Sequence, residues 1–221
     1  MPVTTDPGAA ATVAAPDGGP GGARRFGPWW LVATLVLGLA LGLGGGVLIP
    51  RLTHPGDDSV EAGFLRDMST HHAQAVEMSM IAHADSTNAR IVTLSGDIAL
   101  TQHGQIGYMQ AWLRGWGLSP TSSAEPMAWM PDAAGSVVNG LMPGMATPEQ
   151  LAQLREAKGK DLDIQFLTLM RQHHLGGIHM AQEILKLSDN KDVTWLAQTM
   201  VTGQQSEINL IDQLLKGLQA S

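Results

Sequence analysis

The chain has 221 residues, room for one substantial domain and an appendage, since single domains usually run to about one or two hundred residues. Its net charge of -7 argues against a polyanion-binding surface, because phosphate backbones are met by clustered Lys and Arg, so no nucleic-acid partner is expected. The absence of Cys excludes disulfides, thiolate metal sites and cysteine nucleophiles, leaving Met and His for any soft-metal chemistry.

Residues 1–28 are rich in Pro, Gly and Ala and hold few large apolar groups, so they cannot bury enough surface to offset ordering. They read as a disordered cytoplasmic tail. Trp29 to Ile49 is then 21 residues without a charge, about what a helix needs to cross ~30 Å of hydrocarbon. Arg24 and Arg25 precede it, so the positive-inside rule predicts a single-pass helix in the lipid bilayer with everything after Ile49 outside the cytoplasm. A cleaved signal peptide is the rival, but the run exceeds the usual ~7 to 15 apolar residues and no clear Ala-x-Ala site follows. The Arg pair lacks most of the context of a twin-arginine signal. Gly38, Gly42 and Gly46 stand at four-residue spacing, which could let two spans pack closely as a homodimer. Residues 50–58 form a polar tether.

From Ser59 to Ser221 the predicted domain is duplicated. At an offset of 102 residues, Phe64, Leu65, Met68, His71, His72 and Met78 recur as Phe166, Leu167, Met170, His173, His174 and Met180. In the following segment Leu94, Gln102, Ile106 and Leu113 recur as Leu196, Gln204, Ile208 and Leu215. The unbroken offset predicts two equal helical hairpins, about 60–117 and 162–219, with polar turns around Asp85 and Asp189. Apolar residues recur at three- and four-residue intervals, so the fold class is all-α: a four-helix bundle with internal pseudo-twofold symmetry. Residues 118–161 are too long for a simple bundle loop. There Thr147, Pro148 and Gln150 predict a capped helix over about 148–158, with Gly159 ending it, and the rest of the linker crossing the bundle.

At 100° per residue, Met68, His71 and Met78 fall within about 80° of one another and His72 widens the sector to about 120°, with the same arithmetic for Met170, His173, His174 and Met180. Imidazole suits copper and thioether sulfur favours soft Cu(I) over hard cations, so the composition points to Cu(I) or Ag(I). The opposing reading is that Met fills gaps in a helical core and paired His are buried and satisfied. Selective repetition favours the metal, because His and Met recur while nearby carboxylates do not: Asp67 corresponds to Leu169, Glu77 to His179 and Glu183 to Ile81. The linker adds Met127 with Met130 and Met142 with Met145, as soft-metal ligands or as anchors on the bundle. His83, His103 and His179 have no repeated partner and read as surface or satisfied groups.

A di-iron or di-manganese oxidoreductase would use Glu-x-x-His pairs, and none occurs. Gly-x-Ser-x-Gly, His-Glu-x-x-His and phosphate-cradling loops are also missing, so no catalytic residue is assigned. The remaining alternative is an adaptor that packs His and Met as core and engages another envelope protein.

The stretches "FLRDMSTHHAQAVEM" and "MPGMATPEQLAQL", with "FLTLMRQHHLGGIHMA", closely resemble a bacterial family known as domain of unknown function three hundred and five, over about Val60 to Leu218. The resemblance implies a ferritin-like four-helix bundle, export or membrane anchoring, and copper or silver binding in support of copper resistance. The matching residues are Met68, His71, His72 and Met78, then Met142, Met145, Met170, His173, His174 and Met180. The chain departs at Gly176-Gly177, where an acidic residue and Gly-Ala are more usual, and at His179, where Glu or another polar residue is common.

Overall fold

The computed structural model describes residues 27–131, 133 and 135–220, without the side chains of 47–53. The expected tail, residues 1–28, lies almost wholly outside them. The chain divides into two units after Val47. Helix α1 (Pro28–Thr53) contains a stretch, Pro28–Gly46, long and apolar enough to cross a membrane, a test that a signal sequence near the N-terminus also passes. Its helical backbone runs past Ile49, which shortens the expected tether to the residues before Ser59.

The second unit holds α2 (Val60–Asp85), α3 (Ala89–Gly115), α4 (Pro148–Glu156), α5 (Gly159–Leu187) and α6 (Lys191–Ala220). It is all-helical, and among the described residues no strand forms. Local chemistry sets the helix starts. The Ser59 hydroxyl accepts from Ala62 N, Asn88 Oδ1 from Arg90 N, and Asn190 Oδ1 from Asp192 N and Val193 N, each satisfying amides that lack a helical partner. Thr147 and Gln150 make the expected capping box. The helix it starts ends at Glu156, however, and Gly159, at φ +56°, opens α5 rather than closing α4. At that φ the missing Cβ lets the chain reverse between the two helices.

Helix α2 lies on α3, α5 on α6, and α2 on α5. Because the duplicated hairpins are antiparallel, the crossing of α2 and α5 falls on the pseudo-twofold axis. Apolar side chains gather on both sides of it. One cluster contains Phe64, Met68, Met180 and Leu196, and the other Phe166, Met170, Met78 and Leu94, which are the same positions seen from the other repeat. Burying such side chains stabilises the fold by roughly 1.5–3 kcal/mol each before conformational entropy is set against it.

The linker climbs along α2. Arg66 Nε donates to Ser119 O, Asp67 holds the residue 127–129 segment, His71 meets Pro143 O, and Gln74 pairs through both amide atoms with the backbone of Ala146. Arg155 and Lys158 then pair with Glu77 and Asp85. One turn in this path was not anticipated. Asn139 and Gly140, at φ 53° and 77°, close a two-residue reversal in which Val138 and Leu141 exchange backbone hydrogen bonds. Asn-Gly is the sequence signal for that turn, and it delivers Met142 to the bundle.

Candidate metal centre

His71 and His173 meet on the pseudo-twofold axis. Their ring centroids are 3.8 Å apart at an interplanar angle of 37°, and both rings are buried. His72 and His174 turn instead into their own hairpins: His72 Nε2 meets Gln105 Oε1 at 2.7 Å and His174 Nε2 meets Glu207 Oε2 at 2.5 Å. Gln105 and Glu207 are equivalent under the 102-residue offset. The two halves thus share a geometry but differ in charge, an amide on α3 standing where α6 has a carboxylate.

Four ring nitrogens have no hydrogen-bond partner: His71 Nδ1, His72 Nδ1, His173 Nε2 and His174 Nδ1. An unmet polar atom in a core costs about 1–3 kcal/mol, so four at one crossing call for a chemical reason. The side-chain amides of Gln102 and Gln204, also equivalent and buried, are unmet as well, and Gln204 Oε1 lies 2.6 Å from where a Cβ on Gly177 would sit. Sequence reasoning found this Gln pair in the repeat but not that both amides would be buried without partners. The signal was a polar residue keeping register with core Leu and Ile.

Burial keeps the imidazoles of His71, His72 and His173 neutral. Desolvation pulls His71 down to about 4 and His72 to about 3, and holds His173 well below the ordinary value. Smaller contributions come from the neighbouring histidines, since a proton on one ring opposes a proton on the next. A neutral imidazole offers the lone pair that a metal ion needs.

Met68, Met78, Met170 and Met180 are all fully buried. The fold does not gather them at one point. Met68 and Met180 belong to one apolar cluster with Met142, and Met145 packs against it, whereas Met78 and Met170 belong to the other. Met142 and Met145 flank Pro143, whose carbonyl oxygen is 3.0 Å from His71 Nε2. The turn comes this close because Gly176 has no Cβ. One added there would lie 1.9 Å from Pro143 O, and one on Gly144, at φ +81°, 2.3 Å from Gln172 O. The Gly176-Gly177 departure therefore seats the turn and the Gln204 amide.

Met127 and Met130 are buried beside Trp129, whose ring meets Phe64 edge-on at 5.5 Å and whose Nε1 donates to Asp67 Oδ2. These contacts belong to an anchor on the bundle. His83, His103 and His179 are exposed, and His83 Nδ1 lies 2.9 Å from Val92 O. Among the described residues no three His, Asp or Glu side chains converge as a metal site. The donors that fit a metal are imidazole and thioether, a soft set.

The family described as Domain of unknown function (DUF305) matches residues 61–215. A DUF305 protein from Streptomyces coelicolor is 41% identical, with 74% of this chain and 96% of that one covered at a TM-score of 0.68. A DUF305 fragment from Deinococcus radiodurans is 29% identical, with 71% and 95% covered at a TM-score of 0.60. CopM in its Cu(I)-bound form is 19% identical, with 72% and 96% covered at a TM-score of 0.56, a likeness of fold; CopM structures also exist with Cu(II) and with silver. No curated protein matches.

Proposed function

The chain belongs to the DUF305 family, and from that premise we propose that it is a membrane-anchored, extracytoplasmic protein that binds Cu(I) or Ag(I) in copper homeostasis or resistance. One observation carries the reading: four buried histidines crowd the α2–α5 crossing, each with a ring nitrogen that no protein group satisfies, and thioethers lie on both sides. CopM, which shares the fold, holds copper and silver. His71 and His173 contribute nitrogen, and the flanking methionines contribute soft sulfur. His72 and His174, fixed by Gln105 and Glu207, hold the crossing in register. The apolar stretch in α1 supplies the anchor, and Arg24 with Arg25 sets its orientation.

Cu(I) titration of the full chain in detergent against a competing chelator, with melting followed in parallel, tests this. An ion that binds only the folded state raises stability by an amount set by its free concentration and Kd. Binding with a raised melting temperature, weakened at least tenfold by His71→Gln with His173→Gln, is expected. Metal retained wholly by the chelator would return these side chains to a packing role. Protection of the C-terminal domain from protease added outside intact spheroplasts would overturn the topology.

A further inference from the structure

The two ends of the bundle are unequal. At the end holding the N-terminus of α2, buried Met109 and Met200 join Met68, Met180 and Met142 in one cluster. Their equivalents at the other end are Ile211 and Ile98, and there the linker adds Ala146 and Ala157 while α4 covers the core with a fully buried Leu154. The Met-rich end alone receives the Met142–Met145 turn. A cleft of about 450 Å³ opens beside it, with both methionines in its wall. Asp57, Asp58, Asp67 and Glu125 also line the cleft, against one guanidinium, that of Arg66. Carboxylates in excess over cations raise the local concentration of positive ions, and thioethers behind them select soft ones.

Resting on the soft-metal reading above, we propose that this cleft admits a single Cu(I)-class cation, that Met142 and Met145 are the first thioethers to take it, and that the opposite end, around Met78 and Met170, takes none. The duplicated fold is then an asymmetric binder. The linker, which has no counterpart in the repeat, decides which end works, and the Pro143 carbonyl places the loading turn against His71, beside its ring contact with His173.

Methyl-labelled methionine in the full chain in detergent, titrated with Ag(I) as a redox-silent probe and followed by NMR, reads each end separately. The Met142 and Met145 methyl resonances are expected to shift with the first equivalent while those of Met78 and Met170 stay in place. Early shifts at Met78 and Met170, or static Met142 and Met145, would overturn the inference while leaving soft-metal binding intact. No shift at any methionine would overturn both. The entry route has its own readout: Asp58→Asn with Glu125→Gln should slow Ag(I) loading at least threefold at low ionic strength, with the difference closing in high salt. An unchanged rate would remove the cleft from the route.

Discussion

Ser188, in the turn between α5 and α6, donates a 2.6 Å hydrogen bond to Glu61 Oε1 in the first turn of α2. At the opposite end Ser86 donates to Asp163 Oδ1 at the same distance, and the two pairs are related by the 102-residue offset. Each hairpin thus uses its turn serine to hold the leading helix of the other. The same hydroxyls accept from Asn190 N and Asn88 N, so one atom both shapes the turn and joins the repeats. Carboxylates do recur after all, at the ends of the bundle rather than beside the histidines.

Ser188→Ala and Ser86→Ala should each lower stability by about 1–3 kcal/mol in urea unfolding, as a hydrogen bond to a charged acceptor is lost. The sites lie at opposite ends, so the double variant should be additive within about 0.5 kcal/mol. A loss confined to one of them would mean that the two joints are not equivalent.

Gly176→Ala places a Cβ against a backbone oxygen that cannot rotate away, so the Met142–Met145 turn must lift from α5. A loss of at least about 2 kcal/mol is expected. Gly203→Ala, in α6 with open space around the position, should instead stabilise by roughly 0.5–1 kcal/mol through helix propensity. Equal effects in thermal melting would show that steric contact with Pro143 is not what keeps Gly176 in place.

Acid should destabilise the metal-free protein. The folded-state values of His71, His72 and His173 lie below the 6.5 of the unfolded chain, at about 4, about 3 and well below 6.5. The unfolded state therefore binds more protons as pH falls below 6.5. Their stabilisation is complete above that value and is lost as pH falls from 6.5 through about 4 to about 3, with on the order of 2 kcal/mol already gone at pH 5 for each of His71 and His72, and His173 acting in the same direction. Asp67, which burial raises, acts in the opposite sense but is one group against three. Melting temperatures unchanged between pH 7 and pH 5 would contradict buried, neutral imidazoles.

Asp67 Oδ2 accepts from both Met127 N and Trp129 Nε1, holding Met127 at φ 66°, a conformation that costs a non-glycine residue energy. Asp67→Ala should free the linker, with faster limited proteolysis within residues 118–146. Asp67→Asn keeps one oxygen able to accept both bonds and should be cleaved at close to the wild-type rate. Equal cleavage of the alanine variant would assign the linker's order to its methionines.

Much of this was legible in the chain because duplication compares the protein with itself. The offset carries Phe64 to Phe166 and His71 to His173, and two amphipathic hairpins of equal length have few ways to bury their apolar faces. The all-helical bundle, the capping box at Thr147 and the burial of Met68, Met78, Met170 and Met180 follow from such local regularities. The Asn139-Gly140 reversal was equally local and was overlooked.

The arrangement of the candidate site was another matter. Helical spacing puts Met68, His71, His72 and Met78 on one side of α2, but it does not say that His71 meets its own repeat while His72 turns to Gln105, or that Met68 and Met78 part to opposite ends. Those outcomes depend on how α2 crosses α5, a relation between residues a hundred positions apart. The choice of the Met-rich end depends on where the linker lies, and Gly176 admits it through a clash that exists only once two backbones are brought together. By itself the sequence determined two helical hairpins of equal length, already different at pairs such as Gln105 and Glu207. Tertiary structure decided which end receives the Met142–Met145 turn and which is covered by α4, because a linker present once meets the two ends of a twofold object with different residues.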